Sequence, residues 1–254
     1  MDFLTIVGAL VGVVAIGVGF WFEGGHFGAL VQPQSLVIVL GGTLGAVMIQ
    51  NSWACFADGV RQLGLAFSKP RQVDRAQLSV LLEWGDQAKL NGMLVFESID
   101  ANGVDAFARR GLELLADGVP TEVLKDALQR ELEAIERNRM SAARIWLQAG
   151  GYAPTFGIVG AVIGLIQVTG HILDPERLGS GIAGAFTATL YGLALANLVF
   201  LPIHGKIKTR INSEQRYRRL YFDGLLAISR KESPTMIAAR LAGEVRERSA
   251  ELLK

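Results

Sequence analysis

The separation of charged from apolar sequence constrains this chain more than any other feature. Twelve of its 25 Lys and Arg residues lie between residues 52 and 146, twelve lie between 204 and 254, and Arg177 is the remaining one. The sequence outside these two blocks consists mainly of long apolar runs. Such a pattern is typical of a membrane protein, and because Lys and Arg accumulate on the inner side of a membrane, it predicts that both basic blocks are cytoplasmic.

Four apolar runs are long enough to cross a bilayer. Residues 3–22 carry no charge and would extend about 30 Å as a helix, which matches the hydrocarbon thickness of a membrane. A cleaved signal peptide is the alternative for this run, but Asp2 stands where a basic segment is expected and no small-residue cleavage site follows. The other predicted spans are residues 35–50, extended outward through Leu30 and Val31, residues 149–173 and residues 182–203.

These spans predict an all-α integral membrane protein with four transmembrane helices and both termini in the cytoplasm. Short outer loops are expected at residues 23–34 and 174–180. The predicted domains are the first two spans in residues 1–51, a helical cytoplasmic domain in 52–146, the third and fourth spans in 147–203 and a helical cytoplasmic C-terminal tail in 204–254.

The cytoplasmic block is predicted to be helical because its apolar residues recur every three or four positions. Joints between its helices are expected at Asn91-Gly92, Gly111 and Asp117-Gly118. After Pro120, a helix is expected to continue to Arg144 and into the third span. Basic residues after the fourth span predict an anchor near anionic lipid headgroups, with a partner-binding role as the alternative; they are Lys206, Lys208, Arg210, Arg216, Arg218 and Arg219.

Residues that could carry enzyme chemistry are scarce. His26, His171 and His204 are far apart, and the lone Cys55 offers neither a disulfide nor a metal-binding pair. No phosphate-binding glycine loop occurs, and no Ser lies in a G-x-S-x-G setting. We therefore predict that the chain is not an enzyme and that it binds no metal, organic cofactor or nucleic acid.

Small residues recur inside the spans at four-residue spacing, which lets membrane helices approach closely. The pairs are Gly8 with Gly12, Gly41 with Gly45, and Gly160 with Gly164. Their spacing predicts helix contacts and leaves open whether the partner is the same chain, a second copy or another protein.

Prolines interrupt the third and fourth spans. Pro154 has more than fifteen apolar residues after it, so a kink or pivot is expected there, because proline frees a helix carbonyl. Pro202 lies at the end of the fourth span, where a kink and a helix end are equal alternatives.

None of the four spans contains an Asp or Glu, although proteins that move ions through lipid place such groups there. If the chain handles ions, the titrating carboxylate must come from another subunit, with Thr155, Thr187 and Thr189 lining one side of the path. A passive membrane scaffold is the alternative. A self-contained transporter would need its own ionisable residue.

Two motifs carry a resemblance to a known family. They are the run Ala153-Pro154-Thr155-Phe156-Gly157-Ile158-Val159-Gly160 and the run Thr189-Leu190-Tyr191-Gly192, thirteen residues before Pro202. Together with Leu-Ala-Asp-Gly at 115–118 and the four spans, they resemble MotA and PomA, the ion-channel stator subunits of the bacterial flagellar motor. The resemblance covers nearly the whole chain.

The resemblance implies a location in the bacterial inner membrane and a MotB-like or PomB-like partner, whose single span supplies the ion-binding Asp. It implies a homo-oligomer of five copies around two partners. Pro154 and Pro202 would couple ion binding to movement, and Thr189 would line the pore. Lys89 and Glu97 would contact the rotor switch protein FliG, with Lys89 standing where the family motif has Arg.

The resemblance also bears on the ion. Sodium-driven members carry a threonine after the glycine that matches Gly160, whereas this chain has Ala161, and Ala188 removes a second hydroxyl. We therefore predict proton coupling, with sodium as the alternative. The runner-up family is the ExbB or TolQ type, which energises outer-membrane processes. The four spans and the long loop after the second span favour the stator, and a primary and an accessory stator set are both compatible with the sequence.

Overall fold

The computed structural model describes residues 3–25, 27–68, 75–98, 104–170 and 175–241. Regular structure within these ranges is helical, which confirms the all-α prediction. His26, His171, Asp174 and the tail from residue 242 lie outside the described residues. The helices are α1 Phe3–Phe22, α2 Pro33–Gln50, α3 Trp53–Arg61, α4 Leu63–Ala66, α5 Arg75–Asn91, α6 Ala106–Ala116, α7 Thr121–Thr169, α8 Pro175–Ala194 and α9 Leu201–Ser229.

Four of these helical stretches are long and apolar enough to cross a membrane. They lie at Thr5–Phe22, at Pro33–Gln50, within Thr121–Thr169 and within Leu178–Ser229, as the hydropathy pattern predicts. The predicted helix after Pro120 also continues into the third span without a break. The outer loop expected at 174–180 was too long, because α8 already begins at Pro175.

The chain forms two compact units, each assembled from two separate stretches of sequence. The described residues of 1–69 and 139–209 form the first unit, which holds all four spans, and the described residues of 70–138 and 210–254 form the second. The predicted domain boundaries at 51, 146 and 203 therefore differ from the boundaries of these units. Residues 52–68 belong with the spans, and the part of α9 after residue 209 belongs with the helices of the intervening block.

In the first unit, α2 packs along α8, and its C-terminal end is hydrogen-bonded to α7. Asn51 donates to the Gln148 side chain at 2.6 Å, and Trp146 donates to the carbonyl of Gly59 in α3 at 2.9 Å. The apolar core beside these bonds is formed by Val47, Ile145, Ala149, Ala153, Ala196 and Phe200.

The second unit has a larger core of leucines and aromatic residues. Its fully buried side chains are Leu81, Phe107, Leu124, Leu128, Leu220, Leu225, Ile228 and Ile237. Gly92 and Gly118 have φ of +79° and +69°, so two of the predicted joints are turns that favour glycine. The third was wrong: Gly111 lies inside α6, where the Leu225 side chain packs on it.

Candidate functional site

Small residues form a seam between α7 and α8, and the two backbones approach closely along it. A methyl group at Gly157 would lie 3.0 Å from the Ala188 carbonyl oxygen and 3.2 Å from the Cα atom of Thr189. One at Gly192 would lie 3.1 Å from the Cα atom of Pro154. The structure therefore brings the turn that begins with Pro154 against the turn that begins with Thr189.

The six glycines predicted to pack helices behave in two ways. Gly160 and Gly164 face Ala188 and Ala185 across the seam, and Gly12 faces the Leu198 side chain. A methyl group at Gly8, Gly41 or Gly45 would have no atom of the described chain within 4 Å, apart from neighbouring residues and its own helix backbone. These three positions are therefore open on the outside of the bundle.

The spacing of glycines alone missed several close contacts of the bundle. Gly42 lies against the ring of Phe156, Gly150 against the side chain of Leu201, and Gly157 against Gly192. A usable signal was present in the longer run of small residues at 153, 157, 160 and 164, which matches a second run at 185, 188 and 192.

Pro202 does not end a helix, so that alternative was wrong. A π-helical segment, Leu195–Phe200, connects α8 to α9, and α9 continues past Pro202 to Ser229. The N–H of Leu201 donates to the carbonyl of Ala196, five residues earlier. Proline has no N–H to donate, and π-helical turns of this kind occur mostly as single turns inside α-helices, frequently at functional sites. Pro154, by contrast, lies inside α7.

The three threonines of the predicted path differ in exposure. Thr187 is 5 % exposed and donates its hydroxyl to the Ala183 carbonyl at 2.8 Å. Thr155 is exposed and donates to the Tyr152 carbonyl at 2.7 Å, and Thr189 is half-buried. Thr155 and Thr189 are therefore the threonines that a path along the surface of this chain could reach.

The two alanines used to predict the ion also differ. Ala161 is half-buried, whereas Ala188 is fully buried, and a methyl group at Gly160 would lie 2.8 Å from its Cβ atom. A hydroxyl at position 188 would therefore meet α7. The ion inferred from Ala161 and Ala188 stays a prediction.

In the second unit, Lys89 and Glu97 lie on exposed neighbouring elements. Lys89 is in the last turn of α5, and Glu97 ends the 3₁₀ helix Met93–Glu97, which follows the Gly92 turn. Leu90 and Leu94, on the same two elements, are 82 % and 67 % exposed. Charged groups and exposed apolar side chains thus lie in one surface region. This mixed composition is typical of a surface that binds another protein.

A small cavity of about 300 Å³ adjoins this surface. Lys89, Gly92, Met93, Ile228 and Lys231 are among its lining residues. Elsewhere in this unit, burial raises the pKa of Glu131 above its usual value, and the opposing charge of Arg110 only partly offsets that effect.

Two members of the predicted basic collar are not surface residues. The side chains of Arg210 and Arg218 are 13 % and 8 % exposed, and they form ion pairs with Glu214 and Asp105. A buried guanidinium in an ion pair cannot reach lipid headgroups, so the assignment of these two residues was wrong. Lys208 and Arg219 are exposed, and lipid anchoring stays a prediction for them.

The fold and the seam define a class of protein: a multi-pass, all-helical membrane subunit whose spans contain no acidic group of their own. Comparisons with known proteins identify the family. The MotA/TolQ/ExbB proton channel family matches residues 100–219, and the motility protein A N-terminal family matches residues 6–85.

Motility protein A of Bacillus subtilis is 32 % identical over 242 residues, which is 95 % of this chain and 90 % of that protein. The structure of C. jejuni MotAB superposes with a TM-score of 0.88 at 26 % identity, covering 96 % of each chain. The flagellar MotAB stator complex from Bacillus subtilis gives 0.84 at 31 % identity, covering 95 % of this chain and 94 % of that one. The chain belongs to the motility protein A family, and it is a multi-pass protein of the inner membrane.

Proposed function

We propose that the chain is the ion-conducting stator subunit of a bacterial flagellar motor, which couples inward proton flow to torque on the rotor. The observation that carries this proposal is the similarity to stator subunits along nearly the whole chain, spans and second unit alike. A match to one unit alone would support a membrane channel of some kind, but torque also requires the part that meets the rotor.

The carboxylate for ion binding comes from a partner in this proposal. The predicted spans hold no Asp or Glu, so a MotB-like subunit with an acidic single span supplies the titrating group. Thr189 and Thr155 face the path, and Pro154 and Pro202 couple ion binding to movement. The contact between the Pro154 turn and the Thr189 turn supports this pairing, because a change at one turn must displace the other.

The assembly consists of five copies around two partners, with both termini in the cytoplasm. Three open positions, Gly8, Gly41 and Gly45, support contacts with another chain. A helix of that chain could approach the backbone closely there, because glycine has no side chain. Helix α1 supports the same arrangement, because its apolar side chains, including Leu10, Val11 and Val13, are more than half exposed and require lipid or protein around them.

Lys89 and Glu97 of this chain contact the switch protein FliG of the rotor. Their exposure and the bare leucines beside them support this assignment. Charge reversal separates it from a general surface effect: Lys89→Glu is expected to reduce torque. Arg130→Glu, which makes the same charge change at another exposed position of the second unit, is expected to leave torque unchanged. Equal losses in both variants would remove Lys89 from the contact.

Identification of the partner is the main experiment. The tagged chain is solubilised gently from its native membranes, and co-purifying proteins are identified by mass spectrometry. The expected partner has one span with an intramembrane Asp and a peptidoglycan-binding domain. A partner of the ExbD or TolR type would shift the function to outer-membrane energisation, and the absence of any partner would favour a structural scaffold.

A scaffold and a stator also differ in their response to small changes along the path. Pro154→Ala and Thr189→Ala are expected to abolish motility at normal membrane levels. The control Thr209→Ala removes an exposed hydroxyl bound to its own helix at Gly205 and is expected to be neutral. For the ion, withdrawal of sodium at constant proton-motive force is expected to leave motility intact, and arrest under that condition would establish sodium.

A further inference from the structure

The start of α2 is held against α8 by one phenol group. The hydroxyl of Tyr191 donates to the carbonyl oxygen of Leu30 and accepts a hydrogen bond from the backbone N–H of Gln32 at 3.1 Å. Gln32 precedes α2 and offers no side-chain cap to that helix. Tyr191 thus serves as both a donor and an acceptor for an irregular stretch of backbone, whose polar groups have no helical partners of their own.

A second link joins the same two helices at another height. Ser35, which is 7 % exposed, donates its hydroxyl to the carbonyl of Gly184 at 3.1 Å. The side chain of Gln32 also covers Gly184, since a methyl group there would lie 3.1 Å from its Oε1 atom. The first turn of α2 is therefore bound to α8 at residue 184, and the backbone just before α2 is bound at residue 191, about two helical turns further along α8.

Thr189 lies on α8 between these two attachment points. It is two residues before Tyr191, and the regular helix ends at Ala194, where the π-helical segment begins. The part of the fourth span that carries Thr189 is thus attached to the start of α2. The π-helical segment of the same span follows only after Tyr191, the last point of attachment. Loss of the Tyr191 bonds would free this part of α8 to rotate or slide relative to α2.

We propose that Tyr191 is a positioning residue of the ion path. Its hydroxyl sets the rotation and height of the α8 turn that carries Thr189, and the Ser35 hydroxyl assists at the outer end. This inference rests on the proposed function, because Thr189 matters only if an ion passes beside it. Tyr191 itself does not bind the ion, since its hydroxyl is engaged by the backbone around Leu30 and Gln32.

The test is Tyr191→Phe, which keeps the ring and removes the hydroxyl. Rotation of tethered cells of the native host, carrying the variant in place of the wild-type gene, is recorded against external proton concentration, or sodium if that is the ion. We expect the concentration that gives half-maximal speed to shift about two- to tenfold, the effect of about one hydrogen bond. The amount in the membrane and the co-purifying partner should not change.

Tyr152→Phe is the matched control. Its hydroxyl donates to the exposed Gln50 side chain at 2.9 Å, where water can replace it. We expect wild-type speed and wild-type ion dependence. A merely structural role of Tyr191 would lower the number of working complexes and the maximal speed without moving the half-maximal concentration.

The outcomes separate the two proposals. If the wild-type gene, as the only stator gene left in its host, supports no rotation, the stator function fails and the role of Tyr191 fails with it. If wild type works and Tyr191→Phe shows the wild-type half-maximal concentration, only the positioning role is overturned. If Tyr191→Phe does not accumulate, Ser35→Ala replaces it: a shift in the same direction supports the inference, and an unchanged concentration overturns it.

Discussion

Arg218 on α9 donates two parallel hydrogen bonds to the carboxylate of Asp105, from Nε to Oδ1 and from Nη2 to Oδ2, each 3.2 Å long. The same Asp105 caps α6 by accepting from the N–H of Phe107 at 3.0 Å. Because α9 continues the chain from the fourth span, this pair ties the extension of that span to the start of α6. Both side chains are at least nine-tenths buried, so water does not weaken the pair.

Removal of the side chain of either Asp105 or Arg218 is predicted to destabilise the folded protein. Asp105→Ala loses the cap and leaves the buried guanidinium with a longer contact to Glu214 at 3.7 Å. We expect a loss of about 3–5 kcal/mol in the free energy of unfolding. The control is Asp58→Ala, which breaks an exposed pair with Arg61 and should cost less than about 1 kcal/mol. Thermal unfolding of the purified protein measures both, and equal effects would show that burial is unimportant here.

Alanine at two glycines of the seam is predicted to separate α7 from α8. Gly157→Ala and Gly192→Ala each place a methyl group against backbone atoms that cannot move alone. Overpacking of this kind costs about 1–3 kcal/mol. Gly151→Ala is the control, since no atom beyond its own helix and neighbours lies within 4 Å of the new methyl group. Thermal unfolding of the detergent-solubilised protein measures the effect. A Gly151→Ala variant that is destabilised as much as the other two would refute the close contact between α7 and α8.

Lys231 lies two residues after the end of α9, in a conformation that suits glycine. Among the described residues it is the non-glycine residue with positive φ, at 56°. Its N–H donates to Ile228 and the N–H of Glu232 donates to Ala227, the two bonds of a Schellman motif. Lys231→Gly is expected to stabilise the protein by about 1 kcal/mol, whereas Lys231→Ala should not. An equal gain for both would assign the effect to the lost charge.

The pKa of Glu131 predicts a pH dependence. Burial raises this pKa, so the carboxyl contributes its full stability below the pKa of the unfolded chain and loses it as pH rises through the folded pKa. At neutral pH the charged form opposes folding. Glu131→Gln should therefore raise the melting temperature at pH 7 and should have less effect near pH 4. A uniform shift at both pH values would point to packing instead of ionisation.

Sequence patterns alone predicted the elements of this fold because local chemistry decides them. Length and hydropathy placed the four spans, and the apolar period with Pro120 placed the long helix from Thr121. The glycines at 92 and 118 marked turns because few other residues adopt positive φ. Within the candidate site, Pro154, Thr155 and Thr189 came from motif resemblance, and their roles remain predictions.

Tertiary structure decided which residues meet, and no local signal could supply this. From the sequence, Gly111 is predicted to be a joint, but in the structure Leu225 packs in the space above it. Arg218 is likewise predicted to anchor in lipid, but it pairs with Asp105, 113 residues earlier. The same holds for Tyr191 and the backbone at Leu30, 161 residues apart. Hydropathy and helix propensity act over a few turns, so the sequence by itself determined the helices and the membrane. The packing of distant side chains determined the seam, the buried ion pair and the fastening of α2 to α8.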